Sequence, residues 1–267
     1  MSTVRRVIIP VAVFAAMGAG AGQDAGAQTL AQRVSATQSG TVRFEYAAAE
    51  GVCGNGRGNI SIRRGDGRST YSQGSKNEWE DECESGPVRV ALDFSRGEIT
   101  AVRAYVGGRW RGTADADLGT VSAIEASDYL MRIAEHASAG PAKEAIFPAT
   151  IAEGVTIWPR LLKIAKDVDR PREVRNSAIF WASQAAGEAA TRGLQEIVDD
   201  PDGDREVRKS AVFSLSQRPK GESVPALIRV ARTNKDPEIR RSAIFWLGQS
   251  KDPRALQYFE EVLFAKP

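Results

Sequence analysis

The hydrophobic positions of this chain alternate up to about residue 112 and follow a helical period beyond it. Four stretches alternate apolar and polar residues, which predicts four strands. They read TVRFEY, NISIR, VRVALDF and ITAVRAYV. The last two flank SRGE, where Gly97 can adopt a positive φ, and this favours a hairpin. Residues 39–112 are therefore predicted to form a β-rich domain, and the polar, glycine-rich segment within it is predicted to be mostly irregular.

From about residue 118 the chain is predicted to be helical and repetitive. Four segments that contain Ala, then Ile or Val, then Phe align on Ala145, Ala178, Ala211 and Ala243, which lie 33, 33 and 32 residues apart. A second apolar series has the same spacing: Leu161, Leu194, Leu227 and Phe259. Two series at one period predict a pair of helices per unit, with helix A carrying the leucines and helix B carrying the alanines. One pair cannot bury its apolar face alone, so the units must stack into a solenoid.

The segment DPEIRRSAIFWLGQSKDPRALQYFEEVL resembles the HEAT repeat, on its Asp-Pro starts, on Ile239, Arg240 and Ala243, and on Leu247-Gly248. REVRKSAVFSLSQ and REVRNSAIFWASQ match more loosely, and the resemblance covers roughly residues 140–267. It implies a short right-handed α-solenoid of about four helix pairs, with the B helices lining the concave surface. It implies a binding scaffold and no activity. The predicted fold class is thus α+β, with the solenoid over residues 118–267.

An arginine recurs at one position of helix B, and an acid or amide precedes it by six residues. The arginines are Arg175, Arg208 and Arg240, and the preceding residues are Asp169, Asp202 and Asn234. In the HEAT pattern such an arginine bridges an acid or amide of the next layer. The resemblance therefore implies a structural ladder, and a basic stripe for anionic ligands is the alternative.

A phenylalanine also recurs in helix B, where the HEAT pattern has a polar residue. The four positions are Phe147, Phe180, Phe213 and Phe245, and glutamines flank them at Gln184, Gln217 and Gln249. On a helical wheel, Phe180 lies nearly opposite the stripe formed by Val174, Ala178 and Ala182, whereas Trp181 lies beside that stripe. One interpretation is an exposed row of phenylalanines along the concave groove that binds a peptide or helix. The other is that the rings are buried between neighbouring B helices or under the β-rich domain.

The first 27 residues have the features of a secretory signal, with a basic start, an apolar stretch and small residues at Ala25 and Ala27. This predicts cleavage after Ala27, a linker over residues 28–38, and a periplasmic or secreted bacterial protein without a membrane span. A membrane anchor is the alternative. Export also predicts that Cys53 and Cys83, the two cysteines of the chain, form a structural disulfide. The alternative is a redox-active or metal-binding cysteine pair, but the sequence has no CxxC motif.

Candidate chemistry is sparse in a chain of 267 residues with one histidine. No G-x-S-x-G, H-E-x-x-H or P-loop occurs in it, so no catalytic or metal-binding residues and no cofactor are predicted. The formal net charge of +2 argues against nucleic acid as a partner. The first hypothesis is a non-enzymatic protein-interaction scaffold of the bacterial envelope. The alternative is an envelope-polymer-binding protein or hydrolase, with its site in the 54–86 loop or the inter-domain cleft and with acids such as Glu78, Glu80 and Asp81.

Overall fold

The computed structural model describes residues 28–63, 69–73, 83–184 and 188–264. The predicted signal sequence lies outside the described residues, as do Glu78, Glu80 and Asp81. The strands are β1 Gly40–Tyr46, β2 Val52–Gly54, β3 Ile60–Arg63, β4 Ser69–Gln73, β5 Glu84–Ser85, β6 Val88–Ser95, β7 Glu98–Tyr105 and β8 Ala116–Thr120. The helices are α1 Leu30–Ser35, α2 Ala123–His136, α3 Ala139–Thr150, α4 Trp158–Lys166, α5 Arg172–Ser183, α6 Glu188–Asp199, α7 Arg205–Ser216, α8 Lys220–Thr233, α9 Pro237–Gln249 and α10 Pro253–Phe264.

The first sheet has the strand order β7-β6-β1-β8, in which β1, β6 and β7 are antiparallel neighbours. Strands β6 and β7 form the predicted hairpin, and Arg96 and Gly97 both have positive φ, as a type I′ turn requires. β8 pairs with β1 in parallel and carries the sheet to Thr120, beyond the expected start of the helical domain. One face of the sheet buries alternate apolar residues such as Val42 and Val90.

The second sheet has the order β4-β3-β2-β5 and contains strands that the sequence pattern did not predict. β4 and β5 fall in residues 54–86, the segment expected to be mostly irregular, and β2 ends at its first residue. These three strands were not predicted because they are short and lack a row of alternating apolar residues. The disulfide between Cys53 and Cys83 is present and joins β2 to the residue before β5. The predicted pairing of the two cysteines is therefore confirmed.

Residues 28–38, which we expected to form a linker, contain helix α1. Thr29 caps this helix through a capping box with Gln32. Leu30 and Val34 are fully buried in the same apolar core as the first sheet and α2. This short segment is thus part of the folded domain, and two apolar side chains four residues apart hold it there.

Helices α2–α10 alternate as predicted between helix A (α2, α4, α6, α8, α10) and helix B (α3, α5, α7, α9). Each B helix packs more closely on the next B helix than each A helix packs on the next A helix. The B helices therefore lie on the inner, concave side of the solenoid. The leucine series is buried at Leu161, Leu194 and Leu227, but Phe259 in α10 is only half-buried.

The β-rich domain and the solenoid share one continuous apolar core. Strand β7 packs on α3, and the phenol of Tyr46 donates a 2.7 Å hydrogen bond to the carbonyl of Pro148 within that helix. Burial raises the pKa of Tyr46 well above its usual value, so this donor stays protonated. The first B helix is consequently covered by the β-rich domain, and the later B helices extend away from it.

Candidate functional site on the concave face

The B-helix face is the surface formed by the recurring phenylalanines and the residues that flank them on α3, α5, α7 and α9. Exposure of the rings rises along the solenoid. Phe147 is 7% exposed, Phe180 is half-buried, Phe213 is 37% exposed and Phe245 is 56% exposed. The interpretation of buried rings thus describes Phe147, and the interpretation of an exposed row describes Phe245.

The N-terminal end of this face is closed by the β-rich domain. Phe147 stacks on Trp181 of the next B helix, with ring centroids 4.7 Å apart. These rings line a cavity of about 400 Å³ together with Val102 and Ala104 of β7. Phe147 therefore belongs to the packing between the domains, and Trp181 fills the space between successive B helices.

The C-terminal end of the face carries a group of three rings, here called the aromatic cluster, in which Phe213 and Phe245 are exposed and Trp246 is half-buried. Phe213 of α7 lies 5.0 Å from Trp246 of α9, measured between ring centroids, and Phe245 meets the same indole edge-on at 5.0 Å. The position equivalent to Trp246 in α7 is Ser214, so the ring contact made by Phe147 recurs only at alternate repeats among these helices. The rings hold one another in place through edge and offset contacts.

Glutamines line one edge of the B-helix face, and all three are exposed at the helix ends. The Nε2 groups of Gln184 and Gln217 each donate to the preceding serine hydroxyl, at 3.1 and 3.0 Å. Those serines, Ser183 and Ser216, donate in turn to the carbonyls of Phe180 and Phe213. This arrangement fixes the glutamine amides and leaves their Oε1 atoms free of bonds to the described residues. In α9, Gly248 replaces the serine before Gln249, so that amide lacks this support.

Charged pairs form the other edge of the face, one helical turn before the rings. Lys209 lies 3.3 Å from Glu206 on α7, and Arg241 pairs with Glu238 on α9. Each pair joins one acid and one base on the same helix, so the edge is polar without a net charge. The geometry is that of an apolar strip about one ring wide between two polar borders.

Residues 191–267 match the family model described as HEAT repeats. This part of the chain is thus similar to HEAT repeats. No curated protein compared with the chain matches it in sequence. Among solved structures, the chain is similar to human deoxyhypusine hydroxylase in complex with glycerol, at 19% identity and a TM-score of 0.34. That match covers 51% of this chain and 55% of the hydroxylase chain.

Two of the three recurring arginines of the B helices reach an acid of the following layer. Arg208 donates to the Oδ1 of Asn234 at 3.2 Å and lies 3.3 Å from Asp236, the cap residue of α9. Arg175 lies 3.7 Å from Asp204, the corresponding cap of α7. Arg240, in the last B helix, donates to the backbone carbonyl of Asn234 at 2.8 Å.

Asp169 and Asp202 occupy the turns before these B helices, and their carboxylates make no hydrogen bond or ion pair with the described residues. The arginines pair instead with the aspartates that cap the following B helices, Asp204 before α7 and Asp236 before α9. The sequence spacing of six residues therefore coincides with an actual contact at Asn234 alone. Asp204 and Asp236 each stand directly before a B helix, which is the position of a capping residue, so the sequence did contain a signal for these partners.

We expect acid to weaken the C-terminal repeat through Asp252. The hydrogen bonds that Arg254 donates from its guanidinium, and then from its backbone amide, lower the pKa of Asp252 to about 2. An unfolded aspartate has a pKa of about 3.9, so the stability that Asp252 contributes is full above that value and is lost as the pH falls towards 2. Asp252→Asn should lower Tm at pH 7 and flatten the fall of Tm between about pH 5 and pH 2.

Asp169→Asn is the matched control for this change, because its carboxylate is exposed and unbonded among the described residues. Thermal unfolding followed by circular dichroism at several pH values measures both variants. Parallel curves for wild type and Asp252→Asn would contradict the assignment.

The cavities beside the junction of the two domains contain few ionisable groups. Among the described residues lining the cavity below β7, only Lys143 and Glu144 are charged. Glu144 accepts a 2.8 Å hydrogen bond from the backbone amide of Val102, so it serves the packing of β7 on α3. In the described part of the chain, no group of three or more His, Cys, Asp or Glu side chains could hold a metal ion. No helix described here is long and apolar enough to cross a membrane.

Proposed function

We propose that this protein is a non-enzymatic scaffold whose B-helix face binds a segment of another protein at the aromatic cluster. The single observation that carries the proposal is the exposure of Phe213 and Phe245 at matching positions of two neighbouring B helices, where they are 37% and 56% exposed. Exposed apolar strips bordered by polar residues are typical of protein-binding sites.

The chemistry of the face specifies the partner segment. A ring-wide apolar strip accepts a row of apolar side chains spaced along one side of a peptide or helix. The fixed Oε1 atoms of Gln184 and Gln217 accept hydrogen bonds, so they favour a partner that presents N–H groups beside its apolar row. The balanced charge pairs on the other edge favour a partner of low net charge in this segment.

The disulfide supports the proposed setting of this interaction. Disulfides persist in oxidising compartments, and Cys53–Cys83 clips the second sheet of the β-rich domain. Together with the signal features of residues 1–27, this supports an exported protein that acts in the bacterial envelope or outside the cell. The β-rich domain then covers one end of the solenoid and limits the face to the later repeats.

Selection of peptides from a displayed library against the purified protein tests the proposal. We expect selected peptides to carry spaced apolar residues and to lose at least tenfold in affinity when Phe213 and Phe245 are both replaced by Ser. The matched control is Ile124→Ser with Val168→Ser, which removes two exposed apolar side chains away from the face. That control should leave the affinity within about twofold of wild type.

Two results would contradict the proposal. One is equal loss of affinity in the two double variants, because binding would then follow general hydrophobicity. The other is a concentration-dependent dimer, seen in sedimentation and abolished by Phe213→Ser with Phe245→Ser, because the occupant of the face would then be a second copy of this chain.

A further inference from the structure

A cavity of about 330 Å³ lies on the face of the first sheet opposite the apolar core, and arginines dominate its lining. We call it the arginine cavity. Its six arginines come from three strands and two loops: Arg43, Arg57, Arg89, Arg103, Arg109 and Arg111. No carboxylate is among the described residues that line it.

The floor of the arginine cavity is a row of three residues on adjacent strands. Arg43 of β1 pairs in register with Ala91 of β6, and Ala91 pairs with Arg103 of β7. Because neighbouring strands lie about 4.8 Å apart, the two arginines stand roughly 10 Å apart with only a methyl group between them. Asp117 accepts from Arg43 at 2.8 Å, and Asp93 accepts from Arg103 at 2.8 Å, so both guanidinium groups are held in place.

The loop after β7 supplies the wall of the cavity. The guanidinium carbons of Arg43 and Arg89 lie 5.0 and 5.6 Å from the ring centroid of Trp110, within cation–π distance. Arg109 and Arg111 flank this tryptophan in the sequence. Like Arg57 on the opposite wall, they make no side-chain hydrogen bond or ion pair with the described residues, so their donors are available to a ligand.

Arg89 provides a second, independent sign of a ligand. It is 4% exposed, it donates to the carbonyl of Gly107, and its Nε has no hydrogen-bond partner among the described residues. Burial lowers the pKa of Arg89, and Glu45 and Glu84 oppose that shift from outside the lining. A buried cation with an unfilled donor is unfavourable until an acceptor reaches it.

We propose that the arginine cavity binds a small, multiply charged phosphate-type oxyanion. Asp93 and Asp117 neutralise two of the six arginines, so an anion of more than one charge is favoured. A tetrahedral oxyanion accepts hydrogen bonds from several directions at once, so it suits guanidinium groups that approach from the floor and from two walls of the cavity. A planar carboxylate is saturated by one or two bidentate guanidinium groups. The same chemistry occurs in free phosphorylated solutes and in lipid headgroups.

Isothermal titration calorimetry of the purified protein with inorganic pyrophosphate, at fixed ionic strength, tests this proposal. We expect saturable binding that weakens at least tenfold in Arg109→Gln with Arg111→Gln. The control is Lys163→Gln with Arg192→Gln, which removes two exposed cations from the solenoid and should change the affinity less than twofold. Ala91→Leu keeps every arginine but fills the floor, and it should also weaken binding at least tenfold.

Further titrations identify the chemistry and its source. Binding to vesicles of phosphatidic acid, whose phosphomonoester can carry two charges, is compared with binding to vesicles of phosphatidylcholine, to test whether a headgroup is bound as well as the free anion. Either source supports the proposal. Citrate binding as tight as that of pyrophosphate overturns the phosphate class. Absence of binding to both pyrophosphate and phosphatidic acid, or equal weakening in the two double variants, overturns the proposal. The arginine pair makes no bonds within the described structure, so it remains decisive if Ala91→Leu fails to fold.

Discussion

Phe147→Ala should destabilise the protein by about 3–5 kcal/mol, whereas Phe245→Ala should change the free energy of unfolding by less than about 1 kcal/mol. Phe147 is buried between α3, α5 and β7 and stacks on Trp181, so its removal opens a cavity in the core that joins the two domains. Phe245 is 56% exposed and meets Trp246 edge-on, so its removal leaves little buried volume empty. Urea unfolding measures both changes.

Phe180 and Phe213 complete this series as internal controls. Their alanine variants should fall between the two extremes, in the order of their exposure. Losses of more than 3 kcal/mol at Phe213 and Phe245 alike would mean that these rings are part of the core, and the aromatic cluster would then not be a binding surface.

Replacing Cys53 and Cys83 together by Ser should cost about 3–4 kcal/mol. The cysteines are 30 residues apart, and the chain-entropy model gives this loss when a loop of that length is opened. The bond joins β2 to the residue before β5, and β5 pairs with β2 over only two residues. The free energy of unfolding in urea, measured with and without dithiothreitol, tests the expectation.

The double Ser variant is its own control for the effect of the reductant. Dithiothreitol should lower the stability of the wild-type protein to that of the variant and leave the variant unchanged. A wild-type protein that loses less than about 1 kcal/mol under full reduction would contradict the role of the bond.

The solenoid could be predicted from the sequence because its signals are local and repeated. The spacing of Ala145, Ala178, Ala211 and Ala243 defines the B helices, and each of these alanines is fully buried. The second sheet was largely missed for the opposite reason. Its strands are two to five residues long, too short for an alternating pattern to stand out.

The exposure of the phenylalanines could not be decided from a helical wheel. The wheel gives the direction of a ring relative to its own helix, and the same direction is buried at Phe147 and open at Phe245. The difference arises from β7, which packs on α3 and is absent from the later repeats. Tertiary packing, which a local pattern does not contain, sets this gradient.

A net charge of only +2 gives no indication of the arginine cavity. Net charge averages over the whole chain, whereas this cluster is local. The outward positions of the alternating strands carry a signal, since Arg43, Arg89 and Arg103 each lie between residues of the buried face. Recognising that Ala91 separates two of the arginines requires the register of three strands, which the sequence does not specify.

Site-specific photo-crosslinking tests most directly whether the aromatic cluster is the binding surface of this protein. Benzoylphenylalanine is placed at Phe213, Phe245, Ile124 or Val168 in cells that produce the protein, and the crosslinked peptides are identified by mass spectrometry. We predict that Phe213 and Phe245 crosslink to the same segment of one partner protein and that Ile124 and Val168 do not. Equal crosslinking from all four positions, or crosslinks from Phe245 to a second copy of this chain alone, would contradict the proposed function.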